Sequence, residues 1–253
     1  HYLTRGNGPE AIVFLHGFCQ SSRFWEPTLE QLPDRFRGYA LDLRGFGNSD
    51  KPEGSYSIPG FVADVLAFAD GMGFEQFILS GNSMGGVVCQ SFATRYGNRL
   101  SKLALVSTGA YVPNPVAARE KADFMEGMEW NRSFFENAVK GFFALLPANW
   151  ESYVDAAMNA GREAMVQSTQ SSASLNFLES VRNIHVPTLI VQGEKDTGRT
   201  PEDGKHLREA VPVEFGYLYL ERPRAGDEAS LPAEHQVADI VEDLHMRAHH
   251  GPC

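Results

Sequence analysis

Runs of consecutive apolar residues recur along the chain, with stretches of helical spacing between them. Ala11-Ile12-Val13-Phe14-Leu15 is uninterrupted, and comparable runs lie at 39–43, 76–80, 102–107 and 188–191. A strand with no polar alternation is buried on both faces, as in a parallel sheet covered by helices. Helical spacing falls between these runs, at 24–32, 61–72, 87–93 and 201–211; in the second, Val62, Val65, Leu66 and Ala69 share one face. Residues 1–9 read as a short strand and a Gly-rich turn, 213–220 as a further strand, 233–246 as a closing helix and 249–253 as a frayed tail. The alternation predicts a doubly wound, mostly parallel α/β sheet.

The alternation breaks after Gly109. Residues 111–180 show only helical periodicity, with helices expected at 123–128, 153–160 and 175–181 and an aromatic stripe of Phe134, Phe135, Val139, Phe142, Phe143 and Leu146. This predicts a helical lid at 111–180, inserted in a core of 1–110 and 181–253. The stripe either lines a pocket for an apolar substrate or packs the lid onto the core.

Between the run at 76–80 and the helix at 87–93 stands Gly81-Asn82-Ser83-Met84-Gly85-Gly86. A serine flanked by glycines on a strand-to-helix turn is the nucleophile-elbow pattern G-x-S-x-G. The turn forces the serine into strained backbone angles, and only glycine leaves room around it. The hydroxyl then stands above the sheet at a helix N-terminus, whose dipole favours developing negative charge.

Charge narrows the classes of partner. Thirty-two acidic against 22 basic residues give a formal net charge of −10, which argues against nucleic acid and anionic membrane. No apolar run approaches a membrane span, and no signal-peptide pattern opens the chain. Three cysteines, Cys19, Cys89 and Cys253, cannot all pair within one chain, so a reducing, cytoplasmic setting is expected.

Four motifs, in this order, resemble those of the α/β-hydrolase fold: His16-Gly17-Phe18 its oxyanion turn, Asp42-Leu43-Arg44-Gly45-Phe46-Gly47-Asn48-Ser49-Asp50 its D-x-R-G-x-G-x-S loop, the elbow, and Gly193-Glu194-Lys195-Asp196 the turn that carries its acid. The resemblance spans nearly the whole chain and implies a serine esterase or lactonase with a lid. It implies Ser83 as nucleophile, the backbone N–H groups of Phe18 and Met84 as oxyanion hole, Asp196 as acid, no cofactor and no metal. The expected partner is a small apolar carbonyl-containing molecule; the oligomeric state is left open. The loop after the strand at 102–107, Thr108-Gly109-Ala110, holds no carboxylate to serve as an alternative acid.

The base departs from the pattern. In the family a histidine follows the last strand, commonly as Gly-His; here Gly226-Asp227 fills that slot. His16 reads as a structural turn residue, His185 precedes its strand at the opposite end of the sheet, and His206 reads as a solvated helix residue. His245, His249 and His250 lie at or beyond the last helix, and His249, His250 and Cys253 read as a frayed tail rather than metal ligands. His235 is the rescue candidate. Asp227 is a natural substitution in a chain that no longer hydrolyses, an inactivating change confined to this copy, or a residue of different chemistry. Facing Asp196, it would form a carboxylate pair in which one pKa rises. Cys19 borders the oxyanion turn but reads poorly as a second nucleophile. Asn82 reads as structural, although Gly-Asn-Ser-Met-Gly-Gly also resembles elbows of carbon–carbon bond hydrolases, whose Gly-Pro-Gly oxyanion turn is missing here.

The leading function is therefore hydrolysis of a small ester, lactone or related carbonyl compound by acyl transfer through Ser83, impaired as written by Asp227. The alternative is a non-hydrolytic lyase, cyclase or small-molecule-binding protein using the same pocket, with a protein-interaction module third. Losing one triad member costs about 10⁴-fold. Asp227→His is expected to raise turnover of a small activated ester by roughly two orders of magnitude or more, and adding Ser83→Ala should abolish the gain. A starting protein that is already a fast esterase, or one silenced by His235→Ala alone, would place the base elsewhere.

Overall fold

Ile12, Val13, Phe14 and Leu15 are each fully buried, yet their side chains enter two separate cores. Ile12 and Phe14 pack with Trp25, Leu29, Phe36, Ile78 and Leu189 on one face of the sheet. Val13 and Leu15 pack with Phe61, Val65, Leu79, Phe92 and Leu105 on the other. Burial on both faces is the physical origin of the uninterrupted apolar run. The computed structural model describes residues 1–143, 146–212 and 214–220. Asp227, His235, the expected closing helix at 233–246 and the tail lie outside the described residues.

In chain order, β1 (Tyr2–Arg5), β2 (Glu10–Leu15), a 3₁₀ turn (Ser22–Trp25), α1 (Glu26–Glu30), β3 (Phe36–Leu41), α2 (Ile58–Gly71), β4 (Phe77–Asn82), α3 (Met84–Tyr96) and β5 (Leu100–Val106) build the first part. Then come α4 (Pro115–Gly127), α5 (Arg132–Lys140), α6 (Trp150–Met158) and α7 (Arg162–Ala173), followed by β6 (Thr188–Gly193), α8 (Pro201–Ala210) and β7 (Glu214–Leu220). The strands form one sheet in the order β1-β3-β2-β4-β5-β6-β7, parallel except for β1, which runs antiparallel to β3. The order in which successive strands are added reverses between β2 and β4, with β3 on one side and β4 to β7 on the other. Crevices at such switch points, outside the carboxyl ends of the strands, are where open α/β sheets bind ligands.

The segment between β5 and β6 is helical, as expected, but its elements differ. A bridge pairs Tyr111 with Asn176, and the Phe177 N–H donates to the Ala110 carbonyl at 2.7 Å, so the segment leaves and rejoins the sheet at one neck. That pairing replaces the helix expected at 175–181. α5 ends at Lys140, so Phe142, Phe143 and Leu146 are not on the helix that holds Phe134, Phe135 and Val139. α7 was not expected, because its Ser- and Gln-rich sequence buries mainly small residues, Ala164, Ser168 and Ala173, beside Met165 and Val166. β3 stops at Leu41 because the next two N–H groups leave the ladder: Asp42 donates to His1 O and Leu43 to the ring of His16.

His16 is fully buried, with Nδ1 2.8 Å from the Gly17 carbonyl oxygen and Nε2 3.1 Å from the Leu43 amide nitrogen. A carbonyl only accepts and an amide N–H only donates, so the ring is the neutral Nδ1–H tautomer. Burial pushes its pKa down, against the opposing pull of the Gly17 carbonyl and Asp42. The unfolded chain therefore binds a proton that the folded one refuses. The stabilisation is complete above the ordinary histidine value near 6.5 and is lost as pH falls below it, at about 1.4 kcal/mol per pH unit. Urea unfolding between pH 7.5 and 5.5 should show that decline, and His16→Gln should flatten it by a similar amount. Equal slopes would mean that folded His16 takes up the proton.

Candidate active site

Leu15 of β2 pairs in register with Gly81 of β4, so the turns that follow leave adjacent strands at the same edge of the sheet. Ser83 sits at the tip of the second turn with φ +48° and ψ −110°, the left-handed backbone expected of the elbow. Its N–H donates to the Val106 carbonyl at 2.9 Å, and its carbonyl accepts from Val87 N–H at 3.1 Å and from the Thr108 hydroxyl at 2.8 Å. The backbone is thus held by β5 and α3 together. The Ser83 side chain is half-buried, and its hydroxyl has no hydrogen-bond partner among the described residues.

The glycines explain how closely these parts meet. A Cβ built at Gly85 would fall on the carbonyl oxygens of Leu15 and His16, and one at Gly86 on the side chain of Thr108. One at Gly81 would strike Cys89 and the Gly85 backbone. The first turn is held as tightly: the Gly17 N–H donates to Gln20 Oε1 at 2.7 Å, and a Cβ at Gly17 would meet Asn82 Oδ1. Asn82 is buried and reaches the Val106 carbonyl, a structural position. Neither the Phe18 nor the Met84 N–H has an acceptor among the described residues. Met84 opens α3, where the first N–H groups have no intrahelical partner.

Asp42 fixes the loop beside the oxyanion turn. Its buried carboxylate accepts from the backbone N–H groups of Ser22 and Asn48 and contacts the ring of His1. Asp196 lies three residues beyond β6 and is half-buried; its Oδ1 accepts from the N–H groups of Gly198 at 2.9 Å and Arg199 at 2.8 Å. One carboxylate oxygen is therefore fixed by its own turn. The topology puts β6 two strands from β4, on the order of 10 Å, with both carboxyl ends at one edge. Arg199, which burial pushes to a lower pKa against Asp203 and Asp196, ties the same turn to the neck by donating to the Tyr111 carbonyl.

Of the expected site residues, Ser83, Met84, Phe18 and Asp196 all lie at this edge, and Asp227 is outside the described residues. His16 is excluded as a base because both its nitrogens are bonded. His185 is exposed and precedes β6 at the far edge. His206 is not the solvated residue expected: it is half-buried, with its ring 5.8 Å from that of Tyr111 and Nδ1 3.3 Å from the Tyr111 hydroxyl. Cys19 is buried and its thiol is pushed up to about 12 by burial, with Lys121 pulling the other way, so it is not a thiolate nucleophile. Thr108 and Gln20 were missed as supports of the two turns; each acts from a loop, where no periodicity marks it. A cleft of about 240 Å³ runs between Asp42, Arg23 and Asn159, and a smaller gap lies among Cys19, Phe142 and Tyr153; Ser83 lines neither. No helix among the described residues is long and apolar enough to cross a membrane.

A family model described as "alpha/beta hydrolase fold" matches residues 10–152, which include both turns and the Asp42 loop. The AB hydrolase superfamily protein YisY of Bacillus subtilis is 28% identical over 218 residues, covering 79% of each chain. The 3-oxoadipate enol-lactonase 2 of Acinetobacter baylyi is 23% identical over 216 residues, covering 83% of this chain and 81% of that one. Among solved structures, the enol-lactonase from Burkholderia xenovorans LB400 superposes with a TM-score of 0.82 at 23% identity, covering 97% of this chain and 96% of that one, a likeness of fold. The chain belongs to the alpha/beta hydrolase fold family.

Proposed function

We propose that this chain is a cofactor-independent serine hydrolase of a small ester, lactone or related carbonyl compound, working through acyl transfer at Ser83. The observation that carries the reading is the pair of N–H groups, Phe18 and Met84, that like the Ser83 hydroxyl have no partner among the described residues and lie on turns leaving adjacent strands at one edge of the sheet. Attack forms a bond from Oγ to the carbonyl carbon, sends the carbonyl electron pair onto oxygen and gives the Oγ proton to water. The two N–H groups stabilise that oxyanion, typically by about 3–4 kcal/mol each. Collapse breaks the C–O bond to the alkoxide, which takes up that proton and leaves as the alcohol or, from a lactone, stays tethered to the acyl group; water then adds to the acyl carbon, breaks its bond to Oγ, and leaves one hydrogen on Ser83 and the rest of the water in the released acid. Asp196 is the acid, its free oxygen available to a partner. The names of relatives, enol-lactonases among them, agree with a carbonyl substrate.

In this reading residues 111–180 form the lid over a core of 1–110 and 181–253. Phe135 and Val139 are buried and Phe134 partly so, packing the lid down, while Phe142 is 38% exposed. The substrate is a small, mainly apolar molecule, and the acidic composition and buried free thiols fit a cytoplasmic setting. In sequence Asp227 fills the family's histidine slot, so Ser83 would lack an oriented base, and a carboxylate held beside Asp196 would add repulsion. That same residue favours the second reading, a non-hydrolytic lyase, cyclase or binding protein.

A fluorophosphonate probe separates the two. Ser83 should be labelled slowly in the chain as it stands, not at all in Ser83→Ala, and about a hundredfold faster in Asp227→His, with the labelled peptide identified by mass spectrometry. No labelling of Ser83 in either the starting chain or Asp227→His would bring down acyl transfer and leave the second reading.

A further inference from the structure

Lys121, on α4, places its ammonium 5.1 Å from the centre of the Phe18 ring. The Phe18 N–H has no partner among the described residues, and its ring packs against Ala122, Met125 and Val166 beside Trp130 and Phe134. The other basic side chains close to this wall are engaged. Arg162 donates to the Glu126 and Met128 carbonyls and lies over Trp130, and Arg132 pairs with Glu136 and Asp155. Lys121 makes no ion pair or hydrogen bond among the described residues. Lys121 is solvent-exposed, so water screens its charge; its position over the Phe18 ring, with no counter-ion among the described residues, is what leaves it available to an anion.

We infer that Lys121 binds a carboxylate on the substrate, so that the site takes a small carbonyl compound carrying one carboxylate. The inference rests on the acyl-transfer reading for the position of the carbonyl. The scissile carbonyl meets the Phe18 N–H, the hydrocarbon lies along the Phe18 ring and the apolar wall, and the carboxylate meets Lys121 Nζ. The substrate is then apolar in its middle and anionic at its end, which amends the expectation of a wholly apolar ligand.

Two esters of equal chain length test this: mono-p-nitrophenyl glutarate and p-nitrophenyl valerate. The hemi-ester should be preferred in kcat/KM. In Lys121→Met the ratio between the two should fall by about tenfold, mainly through KM, and Lys121→Arg should restore most of it. A packing role for Lys121 would instead lower both esters in proportion, and that result, or an unchanged ratio, would overturn the inference. Calorimetric titration with glutarate and with valerate gives a readout that needs no turnover. Glutarate binding lost in Lys121→Met, with neither ester hydrolysed, would support Lys121 and count against acyl transfer. Hydrolysis of both esters with glutarate bound equally by both proteins would do the reverse.

Discussion

Two turns leave neighbouring strands so close together that no side-chain carbon fits between them. The register of Leu15 with Gly81 sets the distance, and the absence of a Cβ at Gly17 and Gly85 allows it. Everything at the carboxyl edge follows from that approach. It brings the N-terminus of α3 against the carbonyls of Leu15 and His16. A larger residue at Gly85 would separate the turns, and the positive φ of Ser83 would lose the packing that holds it. Strain of this kind persists only where surrounding structure over-determines it. Here the Val106 carbonyl, the Val87 N–H and the Thr108 hydroxyl all bind the Ser83 backbone.

The second constraint is a charge. Asp42 is buried, and a buried carboxylate is tolerable only when its oxygens are bonded. Ser22 and Asn48 supply N–H donors from two different loops, so satisfying one carboxylate fixes the path after β2 and the path after β3 together. His16 joins the same pair of loops from inside, through Gly17 and Leu43. The D-x-R-G-x-G-x-S loop therefore belongs to the architecture of the oxyanion turn without supplying an atom to it. Gly47 belongs to the same arrangement, because a Cβ there would fall on the Asp42 carboxylate.

The parts of this structure legible in the sequence are those governed by burial on both faces or by steric exclusion. The apolar run at 11–15 announced a central strand, and Gly81, Gly85 and Gly86 around Ser83 announced the elbow, because no other residue satisfies those positions. The helices of 111–180 were only partly legible. α7 packs with small polar residues that carry no periodic signal, and the neck at Tyr111 and Asn176 is a long-range backbone pairing that local propensity cannot anticipate. His206 read as solvated because its neighbours in sequence are polar, whereas its partner, Tyr111, lies 95 residues away. Lys121 had no reading for the same reason: its place over Phe18 depends on how α4 packs.

An intact elbow is weaker testimony to chemistry than it looks, and the packing shows why. Gly81, Gly85 and Gly86 are demanded by Cys89, by the β2 carbonyls and by Thr108, whether or not any bond is ever broken at this edge. A chain that had lost its base would still need all three glycines to fold. Thr108 is likewise tied to the backbone of Ser83, not to its side chain. The Ser83 hydroxyl is different, because it takes no part in any hydrogen bond among the described residues. Packing asks only for a small residue at that position. Under the acyl-transfer proposal that hydroxyl, near two N–H groups that lack partners among the described residues, is what a substrate would meet.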